Sequence, residues 1–74
     1  MENMDCIIKG KVRDVLIECR KEKGLTQEQV GKIVDKKKTT VASWEQGLSS
    51  PDIETLYRLS KYYGKTIAQM YGEE

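Results

Sequence analysis

The sequence predicts an all-α protein, a compact five-helix bundle, from three observations. Apolar residues recur at intervals of three and four along most of the 74 residues, which is the spacing of one helical face. No stretch alternates polar and apolar residues in the manner of a half-buried strand. Glycine, proline and helix-capping residues separate the periodic segments. Because a chain of this length supports only one thin core, each helix must contribute an apolar face to it.

The first helix is predicted over Ile7–Lys23. Residues 1–6 are expected to form a flexible N-terminal segment, followed by a single domain over residues 7–72. The apolar residues on one face of this helix are Ile8, Val12, Val15, Leu16 and Cys19. The pattern stops at Gly24, a residue type that commonly follows the last turn of a helix.

Two short helices are predicted next. The segment from Thr26 to Gln29 has the S/T-x-x-E/Q form of a capping box, which starts a helix. The apolar residues of this second helix are Val30, Ile33 and Val34. A third helix is predicted over roughly Lys38–Glu45 and ends at Gly47. Helical spacing turns its apolar residues Val41 and Trp44 toward the core.

A fourth helix follows the loop, and either Ser50 or Asp52 can cap its start. Its predicted apolar stripe consists of Ile53, Leu56, Leu59 and Tyr63. Gly64 supplies the C-terminal stop. The segment from Thr66 to Gln69 is a second capping box and predicts a final helix of one or two turns.

The composition excludes several functions. Histidine is absent and there is no Cys-x-x-Cys pair, so the sequence predicts no metal site, no cofactor and no histidine-based catalysis. Cys19 is interpreted as a core residue and Cys6 as an incidental thiol, with nothing to indicate a disulfide. No apolar run approaches the roughly 20 residues of a membrane span, and the N-terminus lacks the pattern of a signal peptide. We expect a cytoplasmic protein that is not an enzyme and has no evident small-molecule effector.

Charge is unevenly distributed along the chain. The net charge is only +1, but residues 20–40 contain seven basic and three acidic residues. A local basic patch on a nearly neutral protein can be a phosphate-facing surface. It can equally be a solvated turn around Lys36, Lys37 and Lys38, and charge alone favours the turn.

The second and third helices are short and joined by a tight turn, which is typical of a helix-turn-helix. In that motif the second, recognition helix enters the major groove of DNA and the first crosses the backbone. Several motifs occur in a fixed order: Arg20 before Gly24-Leu25-Thr26-Gln27, then Trp44-Glu45-x-Gly47, then Pro51-Asp52-Ile53-Glu54-Thr55-Leu56. Over about residues 12–71 the chain thereby resembles the lambda-repressor-like (Cro/C1, Xre-type) helix-turn-helix family of DNA-binding proteins.

This resemblance implies base contacts from the outward face of the third helix, at Lys37, Lys38, Thr39 and Ser43. Lysine can donate to guanine O6 and N7, and a threonine methyl can meet a thymine methyl. The alternative is a solvated polar face. The residues predicted to contact the DNA backbone are Gln27, Thr40, Lys36, Gln46 and Ser49. Gln27 lies at a helix N-terminus, where phosphate is favoured, whereas a plain loop is a close alternative for Gln46 and Ser49.

Four further residues are predicted to support this surface. The resemblance implies a salt bridge from Arg20 to Glu45 that ties the first helix to the end of the third. Val41 and Trp44 are expected to be core residues that hold the recognition helix.

The chain departs from the pattern of the family that it resembles at two positions. Asp35 stands at the turn position where the family usually has glycine, in a left-handed conformation that aspartate tolerates. Lys36 stands at a position where an apolar residue commonly packs in that family, so the aliphatic part of its side chain is expected to lie along the core.

The sequence therefore predicts a small transcriptional regulator, a repressor or controller protein, that binds specific double-stranded DNA. The alternative is an antitoxin-like or adaptor protein-interaction module on the same fold, which we disfavour because 74 residues leave no room for a separate partner-binding domain. A homodimer on a palindromic operator is expected, because one recognition helix contacts few base pairs. The predicted interface consists of Ile67, Met70 and Tyr71 with Tyr62 or Tyr63. The alternative is that these residues close the core, which is the better interpretation of Ile67.

Overall fold

Five α-helices make up most of residues 4–72, the part of the chain that the computed structural model describes, with side chains described from Gly10 onward. In chain order they are α1 (Met4–Glu22), α2 (Gln27–Val34), α3 (Lys38–Glu45), α4 (Ile53–Tyr63) and α5 (Ile67–Met70). No residue in this range belongs to a strand. The predicted all-α, five-helix fold is confirmed.

Helix α1 begins at Met4, three residues earlier than predicted, and ends at Glu22. Residues 4–6 of the expected flexible segment are therefore helical. Neither proline nor glycine occurs between Met4 and Lys9 to stop the helix, but the apolar pattern used for the prediction starts only at Ile8. Residues 1–3 and the side chains of Cys6 and Ile8 lie outside the described residues.

Local hydrogen bonds define where the helices start. Thr26 and Gln29 form a complete capping box, with the Gln29 amide donating to Thr26 Oγ1 at 3.1 Å and the Thr26 amide donating to Gln29 Oε1 at 2.8 Å. Thr66 and Gln69 repeat this arrangement at α5. Asp52, not Ser50, caps α4, and hydrogen bonds from Thr55 lower the pKa of its carboxyl.

The core lies where α1 packs on α3 and α5, α2 packs on α3, and α4 packs on α5 and α2. Its buried apolar residues are Val12, Leu16, Cys19, Val30, Val34, Val41, Trp44, Leu56, Leu59 and Met70. Val15 and Leu25 are partly buried against this cluster. Every helix contributes at least one residue to it, as a domain of this size requires.

Two predicted core residues lie at the surface instead. Ile33 is 37% exposed because the buried face of α2 is centred on Val30, Gly31 and Val34, which rotates Ile33 to its edge. Ile53 is 62% exposed. It is the first residue of α4, and the buried face of that helix begins at Thr55.

The predicted dimer interface also needs correction at Met70. Its side chain is fully buried, so Met70 is a core residue and has no surface to offer a partner. Tyr63 and Tyr71 are partly buried against the same core. Burial raises the pKa of Tyr63 to about 12. Of the residues proposed for the interface, Tyr62 is the most exposed, at 43%.

The turn between α2 and α3 depends on two residues, Asp35 and Gly31. Asp35 adopts the left-handed conformation, with φ 58° and ψ 46°. The chain then folds back so that the Lys36 amide donates to the Gly31 carbonyl at 2.7 Å. A β-carbon on Gly31 would lie 2.5 Å from the Lys36 carbonyl oxygen. Residue 31 must therefore lack a side chain for the turn to follow this path.

Gly31→Ala is predicted to lower the free energy of unfolding by about 1–3 kcal/mol, because the added methyl group displaces the backbone of the turn. Gly10→Ala in α1 is the matched control. Its β-carbon would meet only Arg13 Nη2, at 3.9 Å, so the better helix propensity of alanine should stabilise it by up to about 1 kcal/mol. Urea unfolding followed by circular dichroism measures both. Equal stabilisation by the two substitutions would contradict the close approach at Gly31.

Candidate nucleic-acid interface

Helix α3 lies on the protein surface with one face fixed in the core. Val41 and Trp44 are only 1% and 4% exposed, whereas Lys38 and Thr39 are exposed to solvent. No other described part of the chain covers these two residues. The arrangement leaves the polar side of α3 accessible to a large partner such as a DNA groove.

The N-terminus of α3 differs from those of α2, α4 and α5. Lys37 is its N-cap, with extended backbone and no capping hydrogen bond from its side chain. The first turn of α3, like that of α5, contains no acidic residue. The other three helices are capped by Thr26, Asp52 and Thr66. An uncapped helix start next to lysines presents amide donors and positive charge, which favour a phosphate or a base acceptor.

The structure places the predicted base-contacting residues at different points of α3. Lys37 precedes the helix rather than lying on its outward face, while Lys38 and Thr39 are the first two helical residues. Ser43 lies one turn after Thr39 and is half-buried. Its Oγ lies 2.8 Å from Ser49 Oγ in the loop after α3. This hydrogen bond joins a predicted base contact to a predicted backbone contact.

The remaining predicted backbone contacts surround α3. Gln46 is exposed at the C-cap of the helix. Thr40 is half-buried and borders an open depression beside Trp44. Lys36 borders the same depression and is exposed overall. The loop from Ser49 to Asp52 forms its other wall.

Arg20 and Glu45 form a bidentate ion pair between α1 and the end of α3. Arg20 Nε donates to Glu45 Oε2 at 2.7 Å and Arg20 Nη2 donates to Oε1 at 3.0 Å. The side chains are only 17% and 7% exposed. Arg20 Nη1 also donates to the Leu25 carbonyl at 2.9 Å. The hydrogen bond to Glu45 raises the pKa of Arg20 further above its already high value.

Gln27, predicted to contact the DNA backbone, is part of this ion-pair network. Its Nε2 donates to Glu45 Oε1 at 3.1 Å. A glutamine amide carries two N–H groups, so one remains for another acceptor. Glu45 therefore holds the amide of Gln27 at the N-terminus of α2 while leaving it a donor.

Three contacts near α3 were missed from the sequence. They are the hydrogen bond from Gln27 to Glu45, the bond between Ser43 and Ser49, and the approach of Arg13 to Gly47. Arg13 Nη1 lies 3.4 Å from where a β-carbon on Gly47 would be. Each contact joins residues from different elements, and no local motif signals such a pairing.

None of the helices described over residues 4–72 is long and apolar enough to cross a membrane. Among the residues with described positions there is also no group of three side chains suited to hold a metal ion.

A helix-turn-helix family model matches residues 16–70. This is most of the chain, and it contains α2, α3 and the ion pair described above. The chain therefore belongs to the Cro/C1-type helix-turn-helix family.

Its relatives include both a transcriptional repressor and a transcriptional activator. The chain is 36% identical over 64 residues to RstR of Vibrio cholerae, a cryptic phage CTXphi transcriptional repressor, covering 86% of this chain and 54% of the relative. It is 37% identical over 60 residues to the HTH-type transcriptional activator BcrR of Enterococcus faecalis, covering 80% and 29%. The chain thus spans about half the length of the first relative and less than a third of the second.

A solved structure has the same fold. The crystal structure of a transcriptional regulator from Listeria innocua superposes with a TM-score of 0.81 at 32% identity. The match covers 85% of this chain and 59% of that one.

Glu45→Ala is predicted to lower the free energy of unfolding by about 3 kcal/mol, near the low end of the cost of breaking a buried ion pair, since Arg20 keeps some solvent contact. Glu54→Ala is the matched control, because Glu54 pairs with Arg58 on the exposed surface of α4 and such pairs contribute about 0.5 kcal/mol or less. Urea unfolding of the two variants gives the comparison. Similar losses in both would show that the Arg20 pair does not stabilise the fold.

Proposed function

We propose that this chain binds specific double-stranded DNA and acts in a transcriptional regulator by inserting α3 into the major groove. The observation that carries the proposal is the orientation of α3: Val41 and Trp44 anchor it in the core, and Lys38 and Thr39 face solvent at an uncapped helix start. Membership of the family and the regulatory functions of the relatives support it. Such a protein works in the compartment that holds the DNA, so we also propose a cytoplasmic location.

The base contacts are assigned to Lys37, Lys38, Thr39 and Ser43. Lys38 and Thr39 are exposed in the first turn, which is the part of a recognition helix that enters the groove. Lys37 is the exposed N-cap residue that precedes them. Ser43 is one turn further on, where a short side chain meets a base edge directly or through water.

The backbone contacts are assigned to Gln27, Thr40, Lys36, Gln46 and Ser49. Gln27 brings its remaining N–H group to the N-terminus of α2, where the helix dipole favours a phosphate. Lys36 supplies a charged amine beside the start of α3. Gln46 and Ser49 flank its other end, so that phosphates on both sides of the groove can be held.

DNA binding is expected to weaken steeply as salt rises, since each neutralised phosphate releases counterions. Lys38→Ala should lower specific affinity by about 1–3 kcal/mol and relax the preference at one base position. Gln27→Ala should weaken binding to all sequences alike. Lys61→Ala removes the same charge from α4 and should leave the sequence preference unchanged.

Selection of binding sites from a random DNA pool, followed by affinity measurement at several salt concentrations, tests these assignments. Absence of DNA retention even at low salt would refute the proposal and favour a protein-interaction module. Retention with an unchanged operator profile in both Lys38→Ala and Gln27→Ala would instead refute the residue assignments alone.

We further propose that two copies bind a palindromic operator, because two half-sites one helical turn apart give the specificity that one α3 lacks. Tyr62 and Ile67 are the surface residues assigned to the dimer contact. Tyr62 is well exposed. Ile67 was interpreted above as a core residue, but it is half-buried and is not among the described residues that pack against the buried core.

Tyr62→Glu is predicted to shift the protein toward monomer and to reduce binding of the full palindrome more than that of a half-site. Tyr57→Glu is the control, because Tyr57 is similarly exposed at 51% but lies on another side of α4. Analytical ultracentrifugation with and without operator measures the change. A monomer at high concentration, even with the palindrome present, would rule out the dimer.

A further inference from the structure

The hydrogen bond between Ser43 and Ser49 limits what each hydroxyl can do. The two Oγ atoms are 2.8 Å apart and partly buried, and either can be the donor. Each serine hydroxyl has one hydrogen and two lone pairs. One hydrogen lies between the two oxygen atoms, so the pair keeps a single free hydrogen. That hydrogen belongs to whichever serine accepts the shared bond.

A phosphate bound at Ser49 determines which of the two serines donates the shared hydrogen bond and which accepts it. The oxygen atoms of a phosphodiester only accept hydrogen bonds, so a Ser49 side chain that binds one must donate to it. Ser49 then has no hydrogen left for Ser43 and accepts the hydrogen of Ser43 instead. The Ser43 oxygen is left with lone pairs only and can no longer donate to a base.

We propose that Ser49, when bound to phosphate, makes Ser43 an acceptor that selects a base with a major-groove amino group. This rests on the proposed function, since it requires α3 in the groove, Ser49 at the backbone and a direct hydrogen bond between Ser43 and the base rather than one bridged by water. Cytosine N4 and adenine N6 donate in the major groove, whereas guanine O6 and N7 and thymine O4 accept. Ser43 therefore favours cytosine or adenine and disfavours guanine or thymine at the base it faces.

No other described side chain forms a hydrogen bond with either serine of this pair. Ser50 follows directly in the loop, but its buried Oγ has no partner within the described part of the protein. Ser50 is therefore a matched control, because it is a serine in the same loop that forms no hydrogen bond with Ser43 or Ser49.

Site selection from a random pool, with affinities measured for each base at every position, tests the inference. Ser43→Ala identifies the base that Ser43 faces, as the position at which the preference flattens. At that position the wild-type protein should prefer cytosine or adenine by about fivefold, the low end of the usual cost of one mismatched base pair.

Ser49→Ala should weaken binding to all sequences and remove this preference, because Ser43 regains a free hydrogen. Ser49→Thr keeps a hydroxyl and should retain the preference, and Ser50→Ala should also retain it. Circular dichroism and melting temperatures verify that each variant is folded. The wild-type and Ser43→Ala profiles alone test the sign of the preference if Ser49→Ala fails to fold.

Three results would overturn the inference while leaving DNA binding intact. They are a wild-type preference for guanine or thymine at the Ser43 position, an unchanged profile in Ser43→Ala, and an unchanged preference in folded Ser49→Ala. Absence of any DNA retention by the wild-type protein would overturn the proposed function and this inference together.

Discussion

The ion pair between Arg20 and Glu45 is the interaction on which the presentation of α3 depends. It joins the long helix α1 to the last residue of α3 through two hydrogen bonds. A third bond from the same guanidinium fixes the Leu25 carbonyl just before α2. Burying two charges costs solvation energy, which is offset only when geometry is good and the remaining hydrogen-bonding groups are satisfied. Here nearly every polar atom of the pair has a partner. The pair therefore holds α1, α2 and α3 in their relative orientation.

The same carboxylate connects stability to the proposed DNA contacts. Glu45 accepts from Gln27 as well as from Arg20, so the two helices of the helix-turn-helix share one anchor. The Gln27 amide, proposed to bind phosphate at the start of α2, and the side of α3 proposed to face the bases are thereby held in a fixed relation to each other. Because preorganised donors lose less entropy on binding, the network would add to the affinity of the proposed complex without contacting the DNA itself.

Features encoded by neighbouring residues could be predicted from the sequence, and features set by packing could not. The capping boxes at Thr26 and Thr66 and the extent of α3 depend on local hydrogen bonds and helical spacing, and the structure has them as predicted. Ile33 and Met70 were misplaced because periodicity fixes which residues share a face, but not which side of a short helix meets the core. The Ser43–Ser49 bond depends on the path of a loop, which no pattern in the sequence specifies.

The bare α-carbon at Gly31 has a consequence for how related sequences can diverge. The turn that follows α2 occupies the space above this residue, so substitution there is constrained by the scaffold whatever DNA is bound. Lys38 and Thr39 carry no such constraint, since they are exposed to solvent. If α3 reads the bases as proposed, operator preference can change by single substitutions on α3 while the turn stays the same. Evolution of binding specificity and conservation of the scaffold fall to separate residues, only a few positions apart.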